Sequence, residues 1–176
     1  QQSMRTINII ILLLAINVNA YSQMKEKKIF FVKGDTETYE VTESDSYRFI
    51  RNVKYLSYNA LSAAEAIQKY KTWPRETLEI DKELIKKHII PNIKGEITKE
   101  NERISFDYCY EFATGELKYI NVHYDISISI PIKAIEQFEK AMMEKSKVTF
   151  TKDTSHIGKG ICFRYYIPYL LSELRE

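Results

Sequence analysis

The sequence predicts an α+β fold: a three-stranded antiparallel sheet of strand order 2-1-3 with a packed helix, preceded by an N-terminal hairpin and a helical segment. Two neighbouring stretches alternate apolar and polar residues, which is typical of half-buried strands. An amphipathic helix pattern follows them, and a third alternating stretch follows the helix. This order of elements favours a third strand that lies beside the first and antiparallel to it.

The first 22 residues predict an export signal that is not part of the fold. Met4 and Arg5 precede an apolar run over residues 7–16, and cleavage could follow Ala20 or, as we favour, Ser22. The run is shorter than the about 20 residues of a membrane-spanning helix, so a retained anchor is the weaker alternative. We expect residues 1–22 to comprise upstream residues and a secretory signal peptide, with no stable membrane insertion after cleavage. Residues 23–176 then form a single periplasmic or secreted domain.

The composition excludes several classes of function. The 176 residues contain 13 Tyr and 8 Phe but only 5 Gly, too few glycines for an enzyme with several phosphate-binding loops. Hydrophobic residues make up 44% and charged residues 28%, which are the values of an ordinary globular domain. The net charge of +2 provides no basic surface for nucleic acid. We expect one folded domain without a cofactor or a nucleic-acid partner.

The N-terminal half predicts a hairpin and two helical stretches. Lys28 to Thr42 alternates around a turn at Gly34 and predicts the hairpin. Apolar residues then recur every three or four positions from Ile50 to Ile67, which predicts a helix. Ser62 to Glu65 has the form of a capping box, so this stretch could be one helix or two. A shorter helix is predicted from about Asp81 to Ile89, where a proline follows.

The C-terminal half contains the strongest strand patterns. From Ile104 to Phe112 and from Leu117 to Ile130 the even positions are apolar, which predicts two half-buried strands. A three-residue turn with Gly115 in the left-handed conformation keeps both apolar sets on one face. The predicted register therefore places Cys109 opposite Tyr119.

The remaining elements are a helix over residues 132–146, where one stripe is apolar, and a last strand from Ile161 to Tyr169. Pro168 favours an edge position for this last strand, because proline cannot donate a backbone hydrogen bond. The strand order puts Cys109 and Cys162 on neighbouring strands and on the same outer face. An exported domain could join them as a disulfide, but neighbouring strands do not guarantee the bond geometry, so two free thiols remain the alternative.

Four pieces of the second half resemble the C-terminal domain of TonB-type periplasmic proteins. They are the helix that ends near Pro91, the hairpin with its Thr114-Gly115 turn, helix 132–146 and the stretch Gly160 to Pro168. The resemblance covers about residues 82–169. It implies a domain that binds a short peptide by adding it as a strand along the edge of the last strand. The chain lacks a proline-rich spacer, so what the resemblance implies here is binding and not energy transduction.

The predicted function is therefore that of an exported, non-enzymatic binding module of the periplasm or cell envelope. Its partner is expected to be a peptide or protein that pairs with the last strand. Tyr119 joins the predicted binding set because alternation places it, with Tyr166, on the outer face beside the two cysteines. The predicted partner-binding residues are Ile161, Phe163, Arg164, Tyr165, Tyr166, Ile167 and Tyr119.

Two alternatives come from other classes of function. A thiol-dependent enzyme would use Cys109 and His123, but the predicted register separates them by about 10 Å or more, beyond hydrogen-bond reach. The three histidines show no metal-ligand spacing and the cysteines form no CxxC pair, so neither a metal site nor catalysis is expected. A structural or inhibitor-like secreted domain, with the last strand covered by the N-terminal hairpin, is the other alternative.

Overall fold

The computed structural model describes residues 27–75 and 80–175. Their strands form one mixed sheet of seven strands, which curls into a half-barrel. The order across the sheet is β1-β2-β3-β6-β5-β7-β4, and only the β4–β7 pair is parallel. The strands are β1 Lys28–Lys33, β2 Thr38–Glu43, β3 Tyr47–Asn52, β4 Asn59–Leu61, β5 Arg103–Glu111, β6 Leu117–Asp125 and β7 Ile161–Leu170.

Four helices accompany the sheet in the described part of the chain: α1 Ala63–Tyr70, α2 Ile80–His88, α3 Ile132–Lys145 and α4 Leu171–Arg175. Short 3₁₀ turns occur at Val53–Tyr55 and Ile90–Asn92. Within residues 27–75 and 80–175, no helix has the length and apolar character needed to cross a membrane. The predicted signal peptide lies outside the described residues.

The predicted three-stranded sheet is wrong, because the sheet continues on both sides of the predicted strands. β5, β6 and β7 keep the local order 2-1-3, and Cys109 lies opposite Tyr119 as expected. However, β3 pairs with the outer side of β6, where Ile50 lies opposite Val122. β4 pairs with the outer side of β7. These two added pairings join the N-terminal half to the C-terminal half in one sheet.

The predicted helix over residues 50–67 is wrong for most of its length. Residues up to Asn52 belong to β3, and the Asn52 side chain accepts a hydrogen bond from Lys54 N at 3.0 Å to begin a 3₁₀ turn. The helix begins only after Ser62, whose backbone N donates to the Glu65 carboxylate at 2.7 Å. The predicted capping box is therefore confirmed as the start of α1. Pairing of β3 with β2 and β6 overrides the three-to-four-residue spacing of the apolar residues.

The second hairpin keeps the predicted register up to Cys109, but its turn differs from the prediction. Gly115 has the predicted left-handed conformation, with a φ of 71°. However, Glu111 N donates to Glu116 O and Gly115 N donates to Glu111 O, so the loop has four residues, and the register shifts between Cys109 and Tyr110.

β6 ends at Asp125, earlier than predicted, because the Asp125 carboxylate accepts a hydrogen bond from Ser127 N at 2.8 Å and turns the chain. Ile128 and Ile130 remain buried beyond the end of the strand.

The core lies between one face of the sheet and helices α2 and α3. Its largest contributors are the even-numbered aromatic residues of β5, and the Phe106 and Phe138 rings lie 5.1 Å apart. Fully burying one such side chain contributes about 1.5–3 kcal/mol. The core residues of β5 and its continuation are Phe106, Tyr108, Tyr110 and Phe112. Successive side chains of a strand point to opposite faces of the sheet. The polar positions of the same strands therefore lie on the opposite, open face.

The turn between β1 and β2 is held against α3 by hydrogen bonds to the Glu136 carboxylate. Glu136 accepts hydrogen bonds from the backbone N atoms of Asp35 and Thr36, at 2.6 and 3.0 Å, and from Lys140 Nζ at 2.6 Å. Gly34 has no side chain, which lets this carboxylate approach the turn. The turn is thus held by a helix that lies about 100 residues later in the chain.

Replacing Gly34 with alanine is expected to lower the free energy of unfolding by about 1–3 kcal/mol. The new Cβ would overlap Glu136 Oε2, and that oxygen cannot move without losing its hydrogen bonds. Urea denaturation of the wild type and of the Gly34→Ala variant measures the change. Gly158→Ala is the matched control, because a Cβ added there would have nothing within 4 Å. Equal stability of the two variants would contradict the role of Gly34.

Candidate functional site

The open face of the sheet carries a cleft of about 820 Å³. Its floor consists of alternate residues of β2, β3, β5, β6 and β7, whose chain neighbours point into the core. The segment between β3 and β4 rises over one end and contributes Tyr55, Leu56 and Tyr58. A cleft of this volume is within the usual range for small-ligand sites.

Polar side chains meet at the centre of the cleft floor. Asp107 on β5 lies opposite Asn121 on β6 and opposite Tyr166 on β7. Asp107 is only 8% exposed, and this burial raises the pKa of its carboxyl, although attraction to Arg164 and His123 opposes the rise. Burial also lowers the pKa of His123, which favours the neutral imidazole. The centre therefore contains a buried carboxyl group, whose raised pKa is partly opposed by nearby positive charge, and a histidine whose lowered pKa favours the neutral form.

Asn121 contributes a buried acceptor without a donor. The residue is 9% exposed, and its Oδ1 atom accepts no hydrogen bond from any group in residues 27–75 and 80–175. A buried polar atom without a partner costs about 1–3 kcal/mol, so such atoms are uncommon in folded proteins. Asn121 lies in the cleft lining beside Asp107. The cleft floor thus presents one buried acceptor, Asn121 Oδ1, that a donor on a ligand could satisfy.

Aromatic rings flank this polar centre. The His123 ring stacks with the Tyr47 ring, with 6.2 Å between the ring centroids. It also lies edge to face with the Phe49 ring, with 4.4 Å between the centroids. On the other side, the Tyr166 hydroxyl lies 2.9 Å from Ser105 Oγ, which fixes the position of its ring. Tyr47 remains 37% exposed and Tyr166 55% exposed. Their ring surfaces are accessible to a molecule in the cleft.

Charged groups of the cleft nearly cancel. Arg51 on β3 pairs with Glu40 on β2 at 2.8 Å. Arg164 is exposed, and its charge partly opposes the rise that burial causes in the pKa of the Asp107 carboxyl. Lys27 is the remaining charged residue of the lining, at the β1 end. The lining thus carries three basic and two acidic side chains, a net formal charge of +1.

The two cysteines lie on neighbouring strands and on the same face, as predicted. Cys109 is opposite Arg164 and Cys162 is opposite Glu111, so the two thiols face each other diagonally. Both are fully buried, and no disulfide joins them. Burial raises the pKa of the Cys109 thiol well above its usual range and that of Cys162 to about 12. Both are therefore protonated at neutral pH, a state that is poorly nucleophilic.

The alternative nucleophilic pair is not assembled. Cys109 lies opposite Tyr119, whereas His123 lies opposite Ser105, four residue pairs further along the two strands. The Cys109 thiol contacts the backbone oxygen of Asp107 at 3.9 Å instead. The described chain likewise contains no group of three or more His, Cys, Asp or Glu side chains placed to hold a metal ion.

The predicted partner-binding residues divide into three groups: exposed, buried and partly buried. Arg164 and Tyr166 are exposed and line the cleft. Phe163 is fully buried in the core, and Tyr119 is 7% exposed because Tyr55 and Tyr58 cover it. The remaining three, Ile161, Tyr165 and Ile167, are partly buried against the core. Only two of the seven side chains are thus freely available at the surface.

The predicted edge is also partly occupied. Asn59, Ala60 and Leu61 of β4 pair with Ile161, Cys162 and Phe163, so the first part of β7 has strands on both sides. The N-terminal hairpin lies at the other end of the sheet, next to β3. It therefore does not cover the last strand, as the structural or inhibitor-like alternative would require.

Sequence reasoning missed the β3 side of the cleft. Tyr47, Phe49 and Arg51 reach the cleft from β3, which was expected to be helical in part. Neither face of β3 is uniformly apolar, because Arg48 and Ile50 share the opposite face. The alternation that identifies β5 and β6 is therefore absent, and no local signal in the sequence marks these residues.

Comparisons with known proteins supply a structural relative. No protein-family model and no curated protein matches the sequence. The fold is similar to the crystal structure of a DUF5043 family protein from Bacteroides uniformis, with a TM-score of 0.51 and 12% sequence identity. The match covers 82% of this chain and 90% of that chain. At this identity, the likeness extends to the fold alone.

Proposed function

We propose that this protein is an exported, non-enzymatic binding module and that the cleft on the open face holds its partner. The observation that carries the proposal is the cleft itself, where the exposed Tyr47 and Tyr166 flank the buried Asp107 carboxyl and the Asn121 Oδ1 atom, which has no hydrogen-bond donor among the described residues. A large cleft with a few convergent polar groups is the usual form of a ligand site. Export rests on the sequence pattern of residues 4–22.

Two of the seven predicted partner-binding residues support the proposal that the partner lies in the cleft. Arg164 and Tyr166 come from the last strand, as expected from the sequence, and they form one wall of the cleft. The expected partner is a peptide or protein of the cell envelope. The floor is made of side chains and not of a free strand edge, so the partner need not present an extended main chain. The high pKa values of the two thiols support a binding role over thiol catalysis.

Removing both exposed groups is expected to release the partner. Tagged protein is recovered from an envelope extract of the source organism, and bound species are detected by native mass spectrometry. The double variant Arg164→Ala, Tyr166→Ala should retain about tenfold less of a species that the wild type carries, a loss typical of removing a central contact. Ile67→Ala is the control, because Ile67 is exposed on α1 outside the cleft. Equal amounts on the wild type and the double variant would contradict the proposal.

Strand addition remains the second candidate, because β4 covers only the first three residues of β7. The rest of β7 pairs with β5 on one side, and no described strand pairs with its other side. Pro168 lies within this stretch and has no N–H to donate, which limits the ladder that a partner strand could form.

Hydrogen exchange separates the two modes. An added strand would protect backbone amides of Arg164 and Tyr166, whereas a partner held by side chains in the cleft would leave those amides exchanging as before. Protection of both amides when the partner is bound would replace the cleft proposal with strand addition.

A further inference from the structure

The polar groups of the cleft are complementary to a ligand that both donates and accepts hydrogen bonds. Asp107 and Asn121 Oδ1 supply acceptors at the floor, and Arg164 supplies donors at the wall. A hydroxyl group is one donor and two acceptors, so neighbouring hydroxyls can satisfy a carboxylate and a guanidinium together. An ammonium group could only donate, and a carboxylate could only accept.

The charged residues of the cleft lining favour a neutral ligand. The lining holds three basic residues, Lys27, Arg51 and Arg164, against two acidic residues, Glu40 and Asp107. An anion would approach the buried Asp107 carboxylate, and a cation would approach Arg164 beside it, so each meets a like charge at the centre. A purely apolar ligand would leave the buried Asn121 Oδ1 without a hydrogen-bond donor, which is unfavourable. A neutral, polar molecule avoids these costs.

The arrangement of aromatic and polar groups fixes the shape of such a molecule. Tyr166 and Tyr47 offer exposed ring surface above a floor of polar side chains. An amphipathic ring, with an apolar C–H face and hydroxyls at its rim, can pack on an aromatic side chain while its rim reaches the polar groups. A pyranose or furanose ring has this form.

We infer that the cleft binds a neutral sugar residue, with its hydroxyls on Asp107, Asn121 and Arg164 and its apolar face against Tyr166. This inference rests on the proposed binding function of the cleft and names the part of the partner that enters it. Because the proposed partner is a peptide or protein, the sugar belongs to a glycan on that partner, and a free saccharide presents the same hydroxyls and serves as its probe. The Asn121 oxygen gains the donor that the protein itself does not provide.

Isothermal titration calorimetry of the purified protein tests the inference. The probes are neutral hexasaccharides of glucose, mannose, galactose and xylose, with a galacturonate hexamer, a glucosamine hexamer and a mixed decapeptide pool for comparison. At least one neutral saccharide is expected to bind, and at least tenfold more tightly than the charged oligomers. Arg164→Gln and Asp107→Asn should each weaken that binding by about tenfold or more. Tyr166→Phe should retain the stacking and lose less than Tyr166→Ala.

The matched controls are Arg175→Gln and Asp153→Asn, because both residues are exposed and lie outside the cleft. Their affinities should equal that of the wild type. Arg164 is exposed, so its variant tests the site even if the buried Asp107 variant unfolds. Binding of the peptide pool or of a charged oligomer at the cleft, with no neutral saccharide bound, would overturn the inference and leave the binding proposal standing. Absence of any ligand sensitive to Arg164 or Tyr166, in these titrations and in the extract experiment, would overturn both.

Discussion

Replacing Glu139 with alanine is expected to lower the free energy of unfolding by about 3–5 kcal/mol. The carboxylate is almost fully buried on α3. It accepts hydrogen bonds from the Tyr39 hydroxyl at 2.6 Å, from Asn52 Nδ2 at 2.9 Å and from Ile120 N at 3.1 Å. These donors belong to β2, β3 and β6, so one side chain joins the helix to three strands. Alanine would leave all three donors buried without an acceptor.

Urea denaturation at neutral pH measures this loss. Glu144→Ala is the matched control on the same helix, because Glu144 is exposed, and it should change stability by less than about 0.5 kcal/mol. Glu139→Gln should fall between the two, since an amide keeps one oxygen acceptor but turns the other position into a donor. A loss for Glu139→Ala no larger than the control's would show that this network does not hold the sheet to the helix.

Replacing Glu136 with glutamine is expected to remove about 2–3 kcal/mol at neutral pH and to remove part of the acid sensitivity of the protein. Burial alone would raise the pKa of Glu136, but hydrogen bonds from Lys140, Thr36 and Asp35 outweigh it and lower the pKa from 4.5 to about 2. A carboxylate with a lowered pKa binds protons less well in the folded state than in the unfolded state. Its contribution is therefore complete above about pH 4.5 and is lost as the pH falls toward 2.

The free energy of unfolding should be measured at several pH values between 7 and 2 for wild type, Glu136→Gln and the exposed control Glu144→Gln. The gap between wild type and Glu136→Gln should be widest at neutral pH and should narrow steadily below about pH 4.5. A gap that stays constant over this range would mean that the charge of Glu136 does not stabilise the β1–β2 turn.

Strong local patterns in the sequence predict the middle of this fold. β5 and β6 alternate strictly and Gly115 is left-handed as predicted, so the pairing of Cys109 with Tyr119 could be predicted, but the four-residue loop and the register shift next to Cys109 could not. The capping box at Ser62 and the helix near Asp81 depend on contacts within a few residues, and both were also found.

The rest of the sheet depends on contacts between distant parts of the chain. β4 has only three residues, too few to show a period, and its position is set by pairing with β7 about 100 residues later. β3 mixes polar and apolar residues on each face, so its place next to β6 follows from tertiary packing. The three-stranded prediction fails because these two strands leave no distinct local signal.

In the candidate site, likewise, the residues with a local sequence pattern could be predicted and the residues placed by distant contacts could not. Arg164 and Tyr166 could be predicted as outward-facing because β7 alternates. Tyr119 has the same signal, but Tyr55 and Tyr58 cover it, and their rings come from a 3₁₀ turn and a loop that no pattern predicts. The cleft forms only when β3 and this loop assemble beside β6, so its volume and its aromatic wall could not be read from either half alone.

Photocrosslinking from within the cleft is the most direct test of whether the partner binds there. Tyr166 is replaced with the photoreactive residue p-benzoylphenylalanine, and Ile67, which is similarly exposed on α1, is replaced in a second protein. Both are illuminated in an envelope extract of the source organism, and adducts are weighed by mass spectrometry. A discrete adduct at position 166 and none at position 67 is the expected result. The same adduct at both positions, or an adduct at position 67 alone, would contradict a binding site in the cleft.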